Sequence, residues 1–299
     1  MTRTDVRGIG AVCIALVIAA LTVPAYWLYL LTAVALSAMV ARSVGLVTGQ
    51  AGQITLCQMS FAAVGGWLVS WMSLEWGWLP FPLMVLAAGA VVSLIGAALG
   101  LASLRIRGVE LAAVTLGLAS ALSLVLGRLS FPGTAQGIPV VPNGPFSDGY
   151  WFYALAWSAL LGTHLLITIV GRSRVGIAWQ SIRISERATA ALGGRPEVAK
   201  ATSFMVGAGV AGIAGGLLAG QYGLLTEEVF SPITSMVYFA VAVMTGASVL
   251  GGAVLAGVLL VFVPEALRRV GIPVDVADAL FALGAFEILR KGNGGIAEQ

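Results

Sequence analysis

Residues 45–61 read GLVTGQAGQITLCQMSF, and long apolar runs flank them on both sides. Two Gly-Gln pairs, Gly49-Gln50 and Gly52-Gln53, are followed closely by Thr55, Gln58 and Ser60. Glycine weakens helix continuity, and a side-chain amide facing hydrocarbon is costly. In lipid every backbone polar group needs a protein partner, so irregular backbone is tolerated only against protein or a water-lined cavity. The stretch therefore reads as an interrupted helix buried in a bundle. Broken helices of this kind line solute sites in transporters, which makes Gly49, Gln50, Gly52, Gln53 and Thr55 candidates for a translocation path. The competing reading is a tight turn on the cytoplasmic side with both glutamines in water.

The surrounding composition supports a lipid setting. The 299-residue chain is 59% hydrophobic and 10% charged, with a mean hydropathy of +0.98. Soluble domains carry roughly a quarter charged residues, so one soluble core does not account for this chain and a polytopic membrane protein does. The 39 glycines suit helices that pack closely in lipid. A formal net charge of +3 is too small to suggest nucleic-acid binding. Cys13 and Cys57 sit in apolar surroundings and outline no disulfide framework. Arg3 and Arg7 before an apolar run have the look of a leader peptide. No small-x-small cleavage pattern follows, however, and Pro24 leads straight into the next run, so this segment is read as a retained first helix.

Apolar runs of roughly spanning length fall near 8–23, 26–47, 56–74, 82–104, 108–128, 151–171, 200–221, 232–250, 252–268 and 275–290. Pro80 and Pro82, Ser231-Pro232 and Pro273 mark the starts of three of them. With both termini cytoplasmic, twelve of the 16 basic residues fall on the inner side, Arg42 lies near the inner end of the second run, and only Arg128, Arg268 and Arg269 fall outside. The reverse orientation violates the positive-inside bias. The expected fold is thus all-α, a single permease domain over 1–299 with about ten transmembrane helices, one of them discontinuous. A Gly/Pro-rich loop at about 129–150 lies outside, and a basic loop at about 172–200 lies inside. Within the latter, Gly176 to Leu192 reads as an amphipathic helix. Ala178, Ile182, Thr189 and Leu192 lie near one face, Arg183, Glu186 and Arg187 on another, and Gly193-Gly194 ends the pattern. Such a helix either lies on the inner leaflet or docks a cytoplasmic partner.

Several chemistries are missing from the sequence. His164 is the one histidine, inside an apolar run, so no metal site is expected. The lysines are Lys200 and Lys291 alone, which leaves no phosphate-binding G-x-x-x-x-G-K-[ST] loop. An enzyme is not expected, and no cofactor is expected on this chain. What stands out is packing chemistry. Ala208, Gly212, Gly216 and Gly220 recur every fourth residue and let another backbone approach closely, with Gly96 and Gly100 as a shorter version.

Four stretches also carry a family resemblance. GLVTGQAGQITLCQMSFAAVGGW is similar to G-L-x-x-G-x-A-G-Q-x-S-L-G-H-x-x-F-x-x-x-G-A-Y of LivM-type permeases, the membrane subunits of branched-chain amino acid ABC importers. RIRGVELAAVTLGLA (105–119), SRVGIAWQSIRISERATAALGG (173–194) and MTGASVLGGAVLAGVLLVFVPEALR (244–268) resemble further motifs of that family in the same order. Departures include Gln58 for the usual His, Cys57 for Gly, Glu110 for an aromatic, and Thr245-Gly246-Ala247 for Gly-Gly-x. The resemblance implies a multi-pass subunit of a bacterial or archaeal cytoplasmic membrane. It would work with a homologous permease, two P-loop ATPases that bind the ATP, and an extracytoplasmic solute-binding protein. The family's ATPase-contact segment falls on Arg183, Glu186, Ala188, Ala191 and Gly193. The departures leave open a permease for urea, amides, sugars or another small solute. A secondary transporter or channel is a third class, although such proteins usually place functional charges inside the membrane.

Overall fold

The computed structural model describes residues 24–102, 109–129, 140–225 and 227–271, with isolated positions 276 and 281. The expected first crossing, nearly all of the tenth, Arg105 and Arg107, the C-terminus, and residues 130–139 of the 129–150 loop lie outside these residues. All regular elements among the described residues are helical. The main helices are α1 (Ala25–Val44), α2 (Gln58–Glu75), α3 (Phe81–Ala102), α4 (Val109–Leu129) and α5 (Gly149–Arg172). They continue with α6 (Arg174–Ile184), α7 (Glu186–Ala191), α8 (Pro196–Tyr222), α9 (Pro232–Thr245) and α10 (Leu250–Val270). Five of them are long and apolar enough to cross a bilayer, and α4 and α9 contribute shorter apolar stretches. Eight of the ten expected crossings are therefore seen as helices, in the expected order.

Two helices form the centre. The spanning windows of α1 and α8 are 94% and 72% buried, whereas those of α5 and α10 are 28% and 22% buried. The reason is side-chain size. On α8 the Ala208–Gly220 stripe turns toward α3. A Cβ at Gly212 would meet Val92 Cβ at 2.7 Å, and one at Gly216 would meet Val69 Cγ2 at 2.8 Å, with Val85 behind it. Gly220 faces the rings of Phe81 and Phe152. On α3, Gly96 lies against Ala208, and Gly100 lies 2.7 Å (as an added Cβ) from Ala201 Cα. The two small-residue stripes meet at Gly96 and Ala208, and the remaining glycines of the longer stripe receive larger side chains. A second contact was not anticipated: Gly65 of α2 abuts the Gly212 carbonyl, and Gly215 abuts the carbonyl of Ala62. One helix thus takes a neighbour on each of two faces, which only small residues permit in lipid.

The described helix ends sort into two levels. At one level Tyr26, Trp27, Tyr29, Trp76, Trp78, Tyr150, Trp151 and Tyr222 are exposed, the pattern of an aromatic belt at a membrane interface. Asn143 fastens this end by donating to the carbonyls of Gly77 (3.0 Å) and Leu79 (2.6 Å) while accepting from Phe81 N (2.8 Å). At the other level lie Arg172, Arg174, Arg183, Arg187, Arg195 and Lys200. These are called the aromatic end and the basic end below.

The run expected over 232–250 differs from the structure. Helix α9 stops at Thr245, capped by Gly246 in the left-handed region at φ +66, and α10 starts only at Leu250. Fourteen residues rise about 21 Å, short of a hydrocarbon core of about 30 Å, so α9 does not cross by itself.

Close packing of α8 yields a direct test. Gly216→Leu adds four carbons where a single one already meets Val69 at 2.8 Å. Overpacking of this kind costs roughly 1–3 kcal/mol or more. The variant should accumulate poorly in membranes or fail to assemble, with no selective change in substrate preference, measured by quantitative membrane blotting and by uptake normalised to protein. Normal accumulation and activity would show that this face does not carry the contacts to Val69 of α2 and Val85 of α3.

Candidate functional site at the basic end

The quoted stretch lies at the basic end. Helix α1 widens into a π turn over Gly45–Gln50, and the chain then leaves helical geometry until Gln58. Single π turns inside α-helices recur at functional sites. The exit is not left unsatisfied. Ala51 N donates to Leu46 O, Gly52 N to Thr48 O, and Gln53 N to Val47 O at 3.0 Å. Leu56 N, farther on, reaches Thr115 Oγ1 of α4 at 3.1 Å. Gly52 adopts φ +69, which explains a glycine at that point.

A second break faces the first. Residues 246–249 join α9 to α10, and Gly45 lies directly against the Ala247 carbonyl. A Cβ at Gly49 would meet Ser248 Cβ at 2.9 Å, and Gln50 Nε2 points to Ser248 O at 3.5 Å. Arg42, only 2% exposed, donates to the Ala247 carbonyl (3.4 Å) and to His164 Nδ1 of α5 (3.3 Å). Between the breaks lies a cleft of about 140 Å³ lined by Thr48, Gly49, Gly246 and Ser248, with Arg183 at its side. Two helices are thus interrupted at one depth, and the interruptions pack on each other.

The 172–200 segment meets this cleft. It contains two short helices, α6 and α7, where one amphipathic helix was expected. Ser185 is extended at φ −163, and its hydroxyl accepts from Ala188 N to cap α7; serine at such a position competes with helix continuation. The expected apolar face is corrected as well. Ile182 is buried, but Leu192 is 89% exposed. The anchor is Trp179, fully buried, whose indole donates to Thr202 Oγ1 of α8 at 3.0 Å. Arg183 packs on the first break, with its Cα 3.1 Å from where a Gly52 Cβ would stand. Glu186 reaches across to α8. Its Oε1 sits 2.8 Å from Nζ of Lys200, a lysine 2% exposed. Lys200 O accepts from Ser203 Oγ (2.8 Å), and Ser203 Oγ accepts from Gln53 Nε2 (3.0 Å). The link from Glu186 to Gln53 therefore runs through the first turns of α8, whose Lys200 ammonium holds Glu186 and whose Ser203 hydroxyl holds Gln53.

The candidate path residues divide. Gly49 lines the cleft, and Gln50 reaches its edge. Gln53 is 5% exposed and Thr55 fully buried, the latter beside Cys57 Sγ at 3.3 Å. Neither glutamine pair forms a plain solvated turn, since Gln53 is buried and bonded and Gln50 is half-buried. Gln53 Oε1, Gln58 Nε2 and Ser60 Oγ are buried with no partner among the described residues. Of the candidate partner-contact residues, Arg183, Ala188, Ala191 and Gly193 are exposed and Glu186 is half-buried. Ile184 (87%) and Leu192 (89%) extend that exposed surface with apolar side chains. Lys200, Ser203, Trp179 and Arg42 were not singled out from the sequence. A lysine and an arginine inside or beside apolar runs were the available signals. No group of three or more His, Cys, Asp or Glu residues able to hold a metal occurs among the described residues.

The chain belongs to the family of branched-chain amino acid transport system permease components, whose sequence pattern matches residues 25–284. It is 30% identical over 254 residues to the high-affinity branched-chain amino acid transport system permease protein LivM of Escherichia coli K12. The same values hold for LivM of Salmonella typhimurium LT2. These alignments cover 74% of this chain and 59% of each relative, so the chain matches about three fifths of the length of those curated relatives. No solved structure matches it.

Gln53 provides the test of this site. Gln53→Leu removes one buried hydrogen bond, worth about 1 kcal/mol net, which is too little to unfold the bundle. Membrane accumulation and subunit assembly should stay normal while uptake falls severalfold. Unchanged uptake would assign the buried amide to packing alone.

Proposed function

We propose that this member of the permease family is one membrane-spanning half of an ATP-driven importer for branched-chain amino acids. It would sit in the cytoplasmic membrane of a bacterium or archaeon with its basic end inside. A homologous permease would form the other half, two ATPases would dock on the basic end, and an extracytoplasmic binding protein would deliver solute at the aromatic end. The substrate class rests on the family and on the named relatives. The observation that carries the mechanism is the line from Glu186 through Lys200 and Ser203 to Gln53.

A chain without a nucleotide site is driven only if a cytoplasmic element passes a partner's motion to the helices. Here α6 and α7 offer the partner an exposed surface of small residues, Ala188, Ala191 and Gly193, framed by Ile184 and Leu192. Small residues let a short helix seat in a groove, and nearby charges fix its register. Behind that surface, Trp179 and the Lys200–Glu186 pair tie the segment to α8, and Arg183 abuts Gly52. Movement of α6–α7 is then felt at both breaks, where the cleft lies. The two breaks meet through glycine approaches and hydrogen bonds at the cleft, while Leu46, Val47 and Ala247 seat them in the apolar core, so they would move together with α6 and α7.

Ala191→Asp tests the docking surface. It leaves the bundle untouched, because Ala191 is exposed, but places an unpaired charge in a desolvated interface at a cost of several kcal/mol. The variant should reach the membrane with its partner permease yet lose most of the co-purifying ATPase and the substrate-stimulated hydrolysis. Retention of both at the parent level would remove α7 from the interface.

A further inference from the structure

A second cleft, of about 350 Å³, lies at the aromatic end, between the starts of α1 and α5 and the last turn of α8. Its buried floor is apolar, with Leu28 and Phe152 beside the Thr32 methyl, and its rim carries the exposed rings of Tyr29 and Tyr150. The polar groups are biased toward acceptors. The Thr32 hydroxyl proton is committed to Leu28 O (2.8 Å), and that of Ser147 to Gly144 O (3.0 Å). Gln221 donates its Nε2 to Tyr29 O at 3.0 Å, leaving a buried Oε1 with no partner among the described residues. Asp148 uses one carboxylate oxygen to cap α5, accepting from Tyr150 N at 3.2 Å, and the other makes no bond among them. Among the described residues no Lys, Arg or His lines the cleft. The guanidinium of Arg269 at this end is turned to Tyr26 and Trp27 and paired with Glu265, which also holds Arg268.

We propose that this cleft is a binding site for a primary ammonium group carried on a short apolar body. The Asp148 carboxylate and the tyrosine rings at the rim favour a cation, the buried Gln221 oxygen behind them adds negative potential, and the apolar floor takes an aliphatic chain. A carboxylate group finds no cation there. The site deepens the importer reading and rests on it for its role: an amino acid arriving from the aromatic end would enter with its ammonium group leading and its carboxylate turned outward. The same chemistry is offered by the ethanolamine headgroup of a phospholipid, so the test separates the two sources.

The full chain in phosphatidylcholine nanodiscs is exposed to a diazirine-bearing branched aliphatic amine, and labelled peptides are mapped. Labelling should centre on the peptides holding Tyr29 and Tyr150. An excess of 3-methylbutylamine should displace the probe, and 4-methylpentanoate should not. Asp148→Asn keeps a good helix cap and removes the charge, so labelling should fall at least fivefold; Gln221→Met should lower it as well. Equal labelling by the matching diazirine carboxylate, or parent-level labelling in Asp148→Asn, overturns the proposal. Suppression in phosphatidylethanolamine nanodiscs assigns the site to the headgroup, and persistence there, with displacement by L-leucine, assigns it to free solute. Leucine uptake by the assembled importer is measured in parallel. Labelling without uptake defeats the importer reading and keeps the site, whereas uptake without labelling defeats the site alone.

Discussion

Backbone amides and carbonyls that leave a helix inside hydrocarbon must find partners within the protein, and that constraint organises the basic end. Helix α1 could not open at Gly45–Gln50 if the bundle offered nothing to receive it. The opening is received by a second opening, at 246–249, by its own backbone bonds, and by Thr115 of α4, which accepts from Leu56 N. Ser203 of α8 takes the Gln53 amide, and His164 of α5 takes the Arg42 guanidinium, which also holds the Ala247 carbonyl. Glycine at positions 45 and 49 lets the two breaks touch. Leu46, Val47 and Ala247 anchor them in the apolar core.

Helix α8 connects this region to the rest of the molecule. Its small-residue faces fix α2 and α3 at close range, which makes it the stiffest element of the bundle. Its first turns carry Lys200, Thr202 and Ser203, which hold α7, α6 and the first break respectively. Force applied to the basic segment therefore enters a rigid helix and a soft break together. The ion pair is only half-sheltered, with the Lys200 side chain 2% and that of Glu186 22% exposed. Removing one partner costs more than breaking an exposed pair and less than the roughly 3–5 kcal/mol of a fully buried one.

Much of the fold was legible because lipid imposes a simple rule of length and polarity. Eight apolar runs became helices in the expected order, and the small residues of the Ala208–Gly220 stripe admit side chains of neighbouring helices at close range. The interrupted stretch was visible through its glycines and amides. The early stop of α9 was harder to see, because Thr245-Gly246-Ala247 sits in an unbroken apolar run and only the left-handed φ of Gly246 ends the helix. The break at Ser185 was equally hidden, since serine is acceptable in a helix until its hydroxyl finds an amide to cap. The contacts of Lys200, Ser203 and Arg183 depend on elements far apart in sequence, and no spacing within one helix encodes them.

The central claim is that Glu186 and Lys200 transmit motion from the basic segment to the breaks. The most direct measurement is the number of solute molecules imported per ATP hydrolysed, in proteoliposomes holding the assembled importer. It is made for Glu186→Lys, Lys200→Glu and the exchanged double variant. Transmission through the pair predicts that each single variant hydrolyses ATP with sharply reduced import, and that the exchange restores much of the ratio. An unchanged ratio in the single variants, or a double variant no better than either, would contradict it.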